Sequence, residues 1–352
     1  MTRPLSAVLV ALLCATPALG QNAPAPAKAK AASPEIPFDS APNFLKLPPG
    51  LYMGEGTGVA TNSKGHVFVF TRSGETRLFE FDQNGTFVKE IGVGSYGFAF
   101  AHAVRVDKDD NIWAVDEGTN VIQKFNADGK LLMVLGKRPD PLEQTVIMPG
   151  GGQYSGGNRP YSFHRPTDIA WDPQGNIFIS DGYGDSRVVK YDKNGRFVKS
   201  VGTRGNGPLQ FSTPHAIAVD AKGLVYVADR GNSRMIILDN DLNQKAVWDT
   251  IGAPWAVCIS QGPHQYIYSS NSFGTGNNFD QASTTGEIYK MELDGTVLGH
   301  FGKAGHGFKE FSSVHQMDCR NPDELFVAEI TQWRVQKLSL HPAAARPTSG
   351  GR

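Results

Sequence analysis

A repeat constrains this chain more than anything else in it. Three stretches align: AHAVRVDKDDNIWAVDEGTNVIQKFNADGKLLMVLG from Ala101, PTDIAWDPQGNIFISDGYGDSRVVKYDKNGRFVKSVG from Pro166, and PHAIAVDAKGLVYVADRGNSRMIILD from Pro214. Each has a short apolar run ending in Asp, a turn with Gly or Asn, and an alternating strand that again ends in Asp. A third strand, a DG- or NG-type hairpin and a fourth strand closing on Gly follow. Period-two alternation between tight-turn dipeptides describes a four-stranded antiparallel meander. Diverged copies begin near Thr57, Trp255 and His315, so there are six units. Four-stranded repeats at this spacing predict an all-β fold, a six-bladed β-propeller with one meander per blade. Composition agrees: 40 Gly and 22 Pro among 352 residues are too much turn chemistry for a helix bundle.

The sixth copy ends after its third strand. Phe44-Leu45-Lys46-Leu47-Pro48, ahead of the first blade, is the expected donor of the missing outer strand, which would close the ring and hide an edge. The propeller is expected over 43–340. Residues 1–20 carry an Arg, an apolar run and small residues before Gln21, the pattern of a cleaved secretory signal. An Ala/Pro-rich linker over 21–42 and a tail over 341–352 are expected to be disordered. The reading is of an exported protein, periplasmic or secreted, that acts as a monomer. With 34 basic and 34 acidic residues, the chain lacks the charge bias of a nucleic-acid or anionic-membrane binder.

Inner strands of a propeller surround its channel, so equivalent positions form rings. The residues that open the six inner strands are Thr57, His102, Thr167, His215, Trp255 and His315. Histidine occupies blades two, four and six, which lie about 120° apart. Three imidazoles converging with that symmetry make an open tris-histidine metal site, with zinc the first expectation and iron or copper compatible. Near the same rim, Arg72 and Arg230 hold equivalent positions after the second strands of blades one and four, and blade three has Tyr183. Paired arginines suit a small-molecule or peptide carboxylate. A tyrosine beside an ion and Arg⁺ is expected to have its pKa lowered toward that of a base. Arg187, Arg234 and Arg334 recur on third strands and are read as structural partners of Asp181, Asp229 and Glu329.

The pattern of inner and second strands resembles the NHL-repeat class of propellers. From Phe163 to Arg234 (FHRPTDIAWDPQGNIFISDGYGDSR … FSTPHAIAVDAKGLVYVADRGNSR) the chain further resembles the peptidyl-α-hydroxyglycine α-amidating lyases. The resemblance extends over about residues 50–340 and rests on the SDGY, PHxIA and VADR elements occurring in this order. It implies a zinc ion held by His102, His215 and His315, Tyr183 as catalytic base, and Arg72 and Arg230 as essential arginines. The implied reaction cleaves a C-terminal α-hydroxyglycine to an amide and glyoxylate, with Arg72 on the substrate carboxylate and Arg230 stabilising the Tyr183 phenolate.

Departures bear on what carries over. The third histidine lies in Ser313-Val314-His315-Gln316, where the family has Met-Pro-His-Asp. The missing Asp argues against a structural calcium. The family's disulfides have no counterpart, and Cys258 and Cys319 occupy non-equivalent inner-strand positions, so both are expected to be free buried thiols. The glycine-rich insert 137–162 suits a substrate gate or a surface excursion equally. The chain has no hydroxylating monooxygenase portion, so a separate enzyme would have to supply an amidating substrate. Two other readings use the same architecture. A non-catalytic propeller binding a peptide, glycan or protein would leave the histidine column unexplained. A calcium-dependent lactonase would need Glu, Asn and Asp where this column has Thr, His and Trp.

Overall fold

The computed structural model describes residues 33–138, 159–272 and 285–341. Those residues form six four-stranded antiparallel sheets, five of them running outward from the inner strand in chain order. The inner strands are Glu55–Thr61, Ala101–Val106, Asp168–Trp171, Pro214–Val219, Pro254–Ile259 and Val314–Asn321. The molecule is thus a six-bladed β-propeller of NHL type.

Blades pack face to face, so second strands are buried on both sides and alternate residues serve opposite neighbours. In blade three, Ile177 and Ile179 join the apolar cluster shared with blade two, while Phe178 joins the cluster shared with blade four. Blade four repeats the pattern with Val225 and Val227 on one side and Tyr226 and Ala228 on the other. The core is therefore divided into wedges between blades.

Ring closure differs from the expectation. Phe38–Ala41, not Phe44–Pro48, supplies the outer strand of blade six, pairing Phe38 with Leu340 and Ala41 with Lys337. Residues 38–41 therefore belong to the propeller and not to a linker ending at 42. Phe38 is the better closing residue because its ring packs 5.4 Å from Phe301 and 6.3 Å from Phe311, in the wedge between blades five and six. The Phe44–Pro48 segment instead covers the outer edge of blade one. Lys46 N–H donates to Gly85 O at 2.8 Å, and Phe87 N–H donates to Lys46 O at 3.2 Å.

The cysteine expectation is also corrected. Cys258 and Cys319 form a disulfide with Cα atoms 6.0 Å apart. Their positions are not equivalent along the repeat, but they lie on inner strands of adjacent blades, and inner strands converge toward the axis. The predicted arginine pairs are present: Arg187 with Asp181, Arg234 with Asp229, and Arg334 with Glu329. The arginines also tie down the loops that enter their own blades. Arg234 donates to the carbonyls of Asn206, Gly207 and Gln210, and Arg334 to those of His306, Gly307 and Glu310. The signal-like residues 1–20, the 341–352 tail beyond His341 and most of the 137–162 insert lie outside the described residues.

Candidate metal centre

Each of the three histidines sits in a β-bulge. Pairing of inner with second strand skips one residue between Ala101 and Ala103, between Pro214 and Ala216, and between Val314 and Gln316. The skipped residues are His102, His215 and His315. A bulge leaves its extra residue unpaired and re-aims the side chain, which turns these imidazoles from the sheet faces toward the axis. Their ring centroids lie 4.4–4.8 Å apart. One ligand atom from each falls within 4.8 Å of the others, and all three residues are buried.

The intervening blades orient them. His102 Nδ1 meets Thr167 O at 2.6 Å, His215 Nδ1 meets Trp255 O at 2.9 Å, and His315 Nδ1 meets Thr57 O at 2.7 Å. A carbonyl only accepts, so each Nδ1 carries the proton and each Nε2 presents a lone pair to the centre. The alternating column thus has two functions, three ligands and three carbonyls that set their tautomer. His215 Nε2 is buried without a hydrogen-bond partner. That orphaned atom, in a set of neutral imidazoles with fixed tautomers, fits a transition-metal ion. Burial holds the histidines in the neutral form required of ligands. It lowers the pKa of His102 and His215 well below the usual value, and with Arg72 lowers that of His315 to about 3.

Tyr183 reaches the same point. Its Oη lies 3.3 Å from His102 Nε2. The backbone turn before it needs Gly182, because a side chain there would run into the Pro214 carbonyl and the Thr167 side chain. Arg230 and Arg165 place their guanidinium carbons 5.6 Å and 4.6 Å from the Tyr183 ring centroid. The expected lowering of the Tyr183 pKa is not produced by the protein's own groups. Burial raises it and outweighs the opposing pull of Arg230.

The two expected arginines differ in state. Arg72 Nε donates to Glu55 Oε2 at 2.6 Å, and its guanidinium covers the Phe100 ring at 3.9 Å. Arg230 begins a single 3-10 turn, Arg230–Asn232, and stacks 4.3 Å above Trp255. It has no ion pair with a described residue. Gln316, where the resemblance has a calcium-binding carboxylate, accepts from the Val59 and Val104 amides at 2.9 and 3.1 Å. Below it a cation of the protein's own occupies the channel. Arg105 donates to both Asp168 oxygens and to the carbonyls of Met317 and Val257.

Two residues escaped the sequence reading. Glu117 holds in blade two the position of Arg72 and Arg230, and reading the whole column would have found it. Arg165 bridges Glu117 and Tyr183 from the loop before blade three; its column is mixed, with Thr213 at the equivalent place in blade four, so the repeat does not single it out.

Comparison with known proteins bears on the fold and on the lyase resemblance. A family profile described as "6-bladed beta-propeller" matches residues 163–317. A probable peptidyl-α-hydroxyglycine α-amidating lyase of Caenorhabditis elegans is 30% identical over 176 residues, covering 44% of this chain and 45% of that protein. Peptidyl-α-hydroxyglycine α-amidating lyase 2 of Drosophila melanogaster is 27% identical over 266 residues, 73% of this chain and 58% of that one. The chain is thus similar in sequence to amidating lyases over part of its length. It spans about half the length of these curated relatives. Among solved structures, virginiamycin B lyase of Staphylococcus aureus superposes with a TM-score of 0.56 at 10% identity, over 87% of this chain and all of that one. At that identity the likeness concerns the fold alone.

Proposed function

We propose that the protein is a metal-dependent lyase that cleaves the N–C bond of an N-acyl-α-hydroxyglycine to an amide and glyoxylate. The observation that carries this reading is the convergence of three Nε2 lone pairs with the Tyr183 hydroxyl, beside Arg230, which stacks on Trp255 and has no ion pair with a described residue. His102, His215 and His315 would hold the ion, with zinc the first choice for an imidazole set. A divalent ion bound there supplies Lewis acidity to the substrate's hydroxyl oxygen. The Tyr183 phenolate, favoured by the charge of that ion and by Arg230, would take the hydroxyl proton at Oη; the carbon–oxygen double bond forms as the carbon–nitrogen bond breaks, and the Tyr183 phenol returns the proton to the amide nitrogen. Atoms balance without oxidant or water.

Arg230 is the residue we assign to the substrate carboxylate. Arg72, which the resemblance puts in that role, already has its Nε on Glu55, so it contributes positive field instead. A separate monooxygenase that hydroxylates the glycine α-carbon would have to supply the substrate. The signal-like first twenty residues and the Cys258–Cys319 disulfide support an exported location. The test is bound-metal content together with glyoxylate release from an N-acyl-α-hydroxyglycine, with and without chelator. Chelator-sensitive release is expected. A metal-free protein with no turnover after zinc addition would sink the proposal.

A further inference from the structure

The histidines are not alone in presenting a lone pair at the channel mouth. Glu117, just beyond the second strand of blade two (Ile112–Asp116), is 4% exposed. Its Oε1 accepts from Arg165 Nη2 at 2.9 Å. Its Oε2 is buried, has no hydrogen-bond partner, and lies 3.8 Å from His102 Nε2. His102 already spends its proton on Thr167 O through Nδ1, so the facing atoms are both acceptors. The Tyr183 hydroxyl, 3.3 Å from His102 Nε2, can donate to that nitrogen, but Glu117 Oε2 has no donor, and a buried carboxylate oxygen left so is unfavourable unless a cation lies beside it. Arg165 does not supply it, since it engages the other carboxylate oxygen and lies over the Tyr183 ring.

Two donors at about 2.1 Å from one dication are about 3.0–3.9 Å apart for donor–metal–donor angles from square to wide. The Glu117–His102 separation falls in that interval. We propose that Glu117 is a fourth protein donor to the ion, giving a centre of three imidazoles and one carboxylate. Arg165 positions the carboxylate by holding Oε1, which leaves Oε2 for the ion. A carboxylate hardens the donor set and widens the range of metals toward manganese and iron. An ion of five or six coordination keeps open positions for a substrate. The inference rests on the metal site proposed above, not on the lyase reaction.

The test uses the full chain, Co²⁺ as probe, and Glu117→Gln, whose amide oxygen still accepts from Arg165. Wild-type protein should bind Co²⁺, and the variant should bind it at least about tenfold more weakly with an altered visible absorption spectrum. Equal affinity with an unchanged spectrum overturns the proposal. So does a wild-type protein that binds no Co²⁺, which would also remove the metal site itself. Loss of glyoxylate release with Co²⁺ binding intact would count against the reaction alone. Should the variant fail to fold, infrared difference spectra of wild-type protein with and without Co²⁺ decide. A shifted carboxylate stretch is expected, and no shift overturns the assignment.

Discussion

Substituting Arg230 with methionine asks which arginine meets the substrate's carboxylate. Arg72 is held by Glu55 at 2.6 Å, whereas Arg230 rests on Trp255 and faces no described anion. A carboxylate arriving at Arg230 therefore displaces only solvent. Two charge-assisted hydrogen bonds at about 1.5–2 kcal/mol each give about 3–4 kcal/mol. Opposite charges about 4 Å apart at an effective dielectric constant of about 20 give about 4 kcal/mol, so the two routes agree. Arg230 is only half-buried, which favours the lower figure. About 3 kcal/mol corresponds to a loss of about 150-fold in kcat/KM. The assay compares an N-acyl-α-hydroxyglycine with its methyl ester in wild type, Arg230→Met and Arg72→Met. The loss in Arg230→Met should nearly vanish on the neutral ester, because the ester cannot use the missing charge. In Arg72→Met the carboxylate-specific loss should be the smaller, with stability lowered by up to about 1 kcal/mol as Glu55 loses its partner. Equal losses on acid and ester in Arg230→Met, or a larger carboxylate-specific loss in Arg72→Met, would refute the reasoning.

Tyr183→Phe should lower kcat by about 10²–10⁴-fold while metal content by elemental analysis stays unchanged; loss of the ion would make Tyr183 part of its binding instead. His215→Ala should weaken metal affinity by more than the roughly 10–100-fold that loss of an outer-shell partner costs, as read by chelator competition. Replacing Cys258 and Cys319 by serine opens a loop with a sequence separation of 61 and should lower stability by about 4 kcal/mol. An unchanged denaturant midpoint in that variant would mean the crosslink does not constrain the unfolded chain.

The blades were legible because each is a local object. Alternation, turn dipeptides and terminal Asp residues recur within a few dozen positions, so the pairing of Asp181 with Arg187 follows from spacing alone. The histidine column was legible for the same reason, since a ring of equivalent positions is only a repeat in register. Partners that depend on the closed ring were not. Phe38–Ala41 has no repeat signature, and it wins the outer position through Phe301 and Phe311, far away in sequence. The disulfide joins positions that differ within the repeat and meet only because neighbouring inner strands converge. Arg165 likewise reaches Glu117 and Tyr183 from a position that in blade four is Thr213, so its contacts do not recur with the repeat.

Blade count, wedge-filling alternation and the three histidines all follow from spacing along the chain. How those residues act depends on the closed ring. Bulges aim the imidazoles, carbonyls of Thr57, Thr167 and Trp255 set their tautomer, and burial keeps them neutral while raising the Tyr183 pKa. The closed ring also neutralised Arg72 with Glu55, gave Arg230 no anion among the described residues, and turned a Glu117 oxygen toward His102. The division has a plain physical cause. Periodicity is written in neighbouring residues, but a protonation state or an unpaired charge depends on everything within a few ångströms, whatever its distance in sequence.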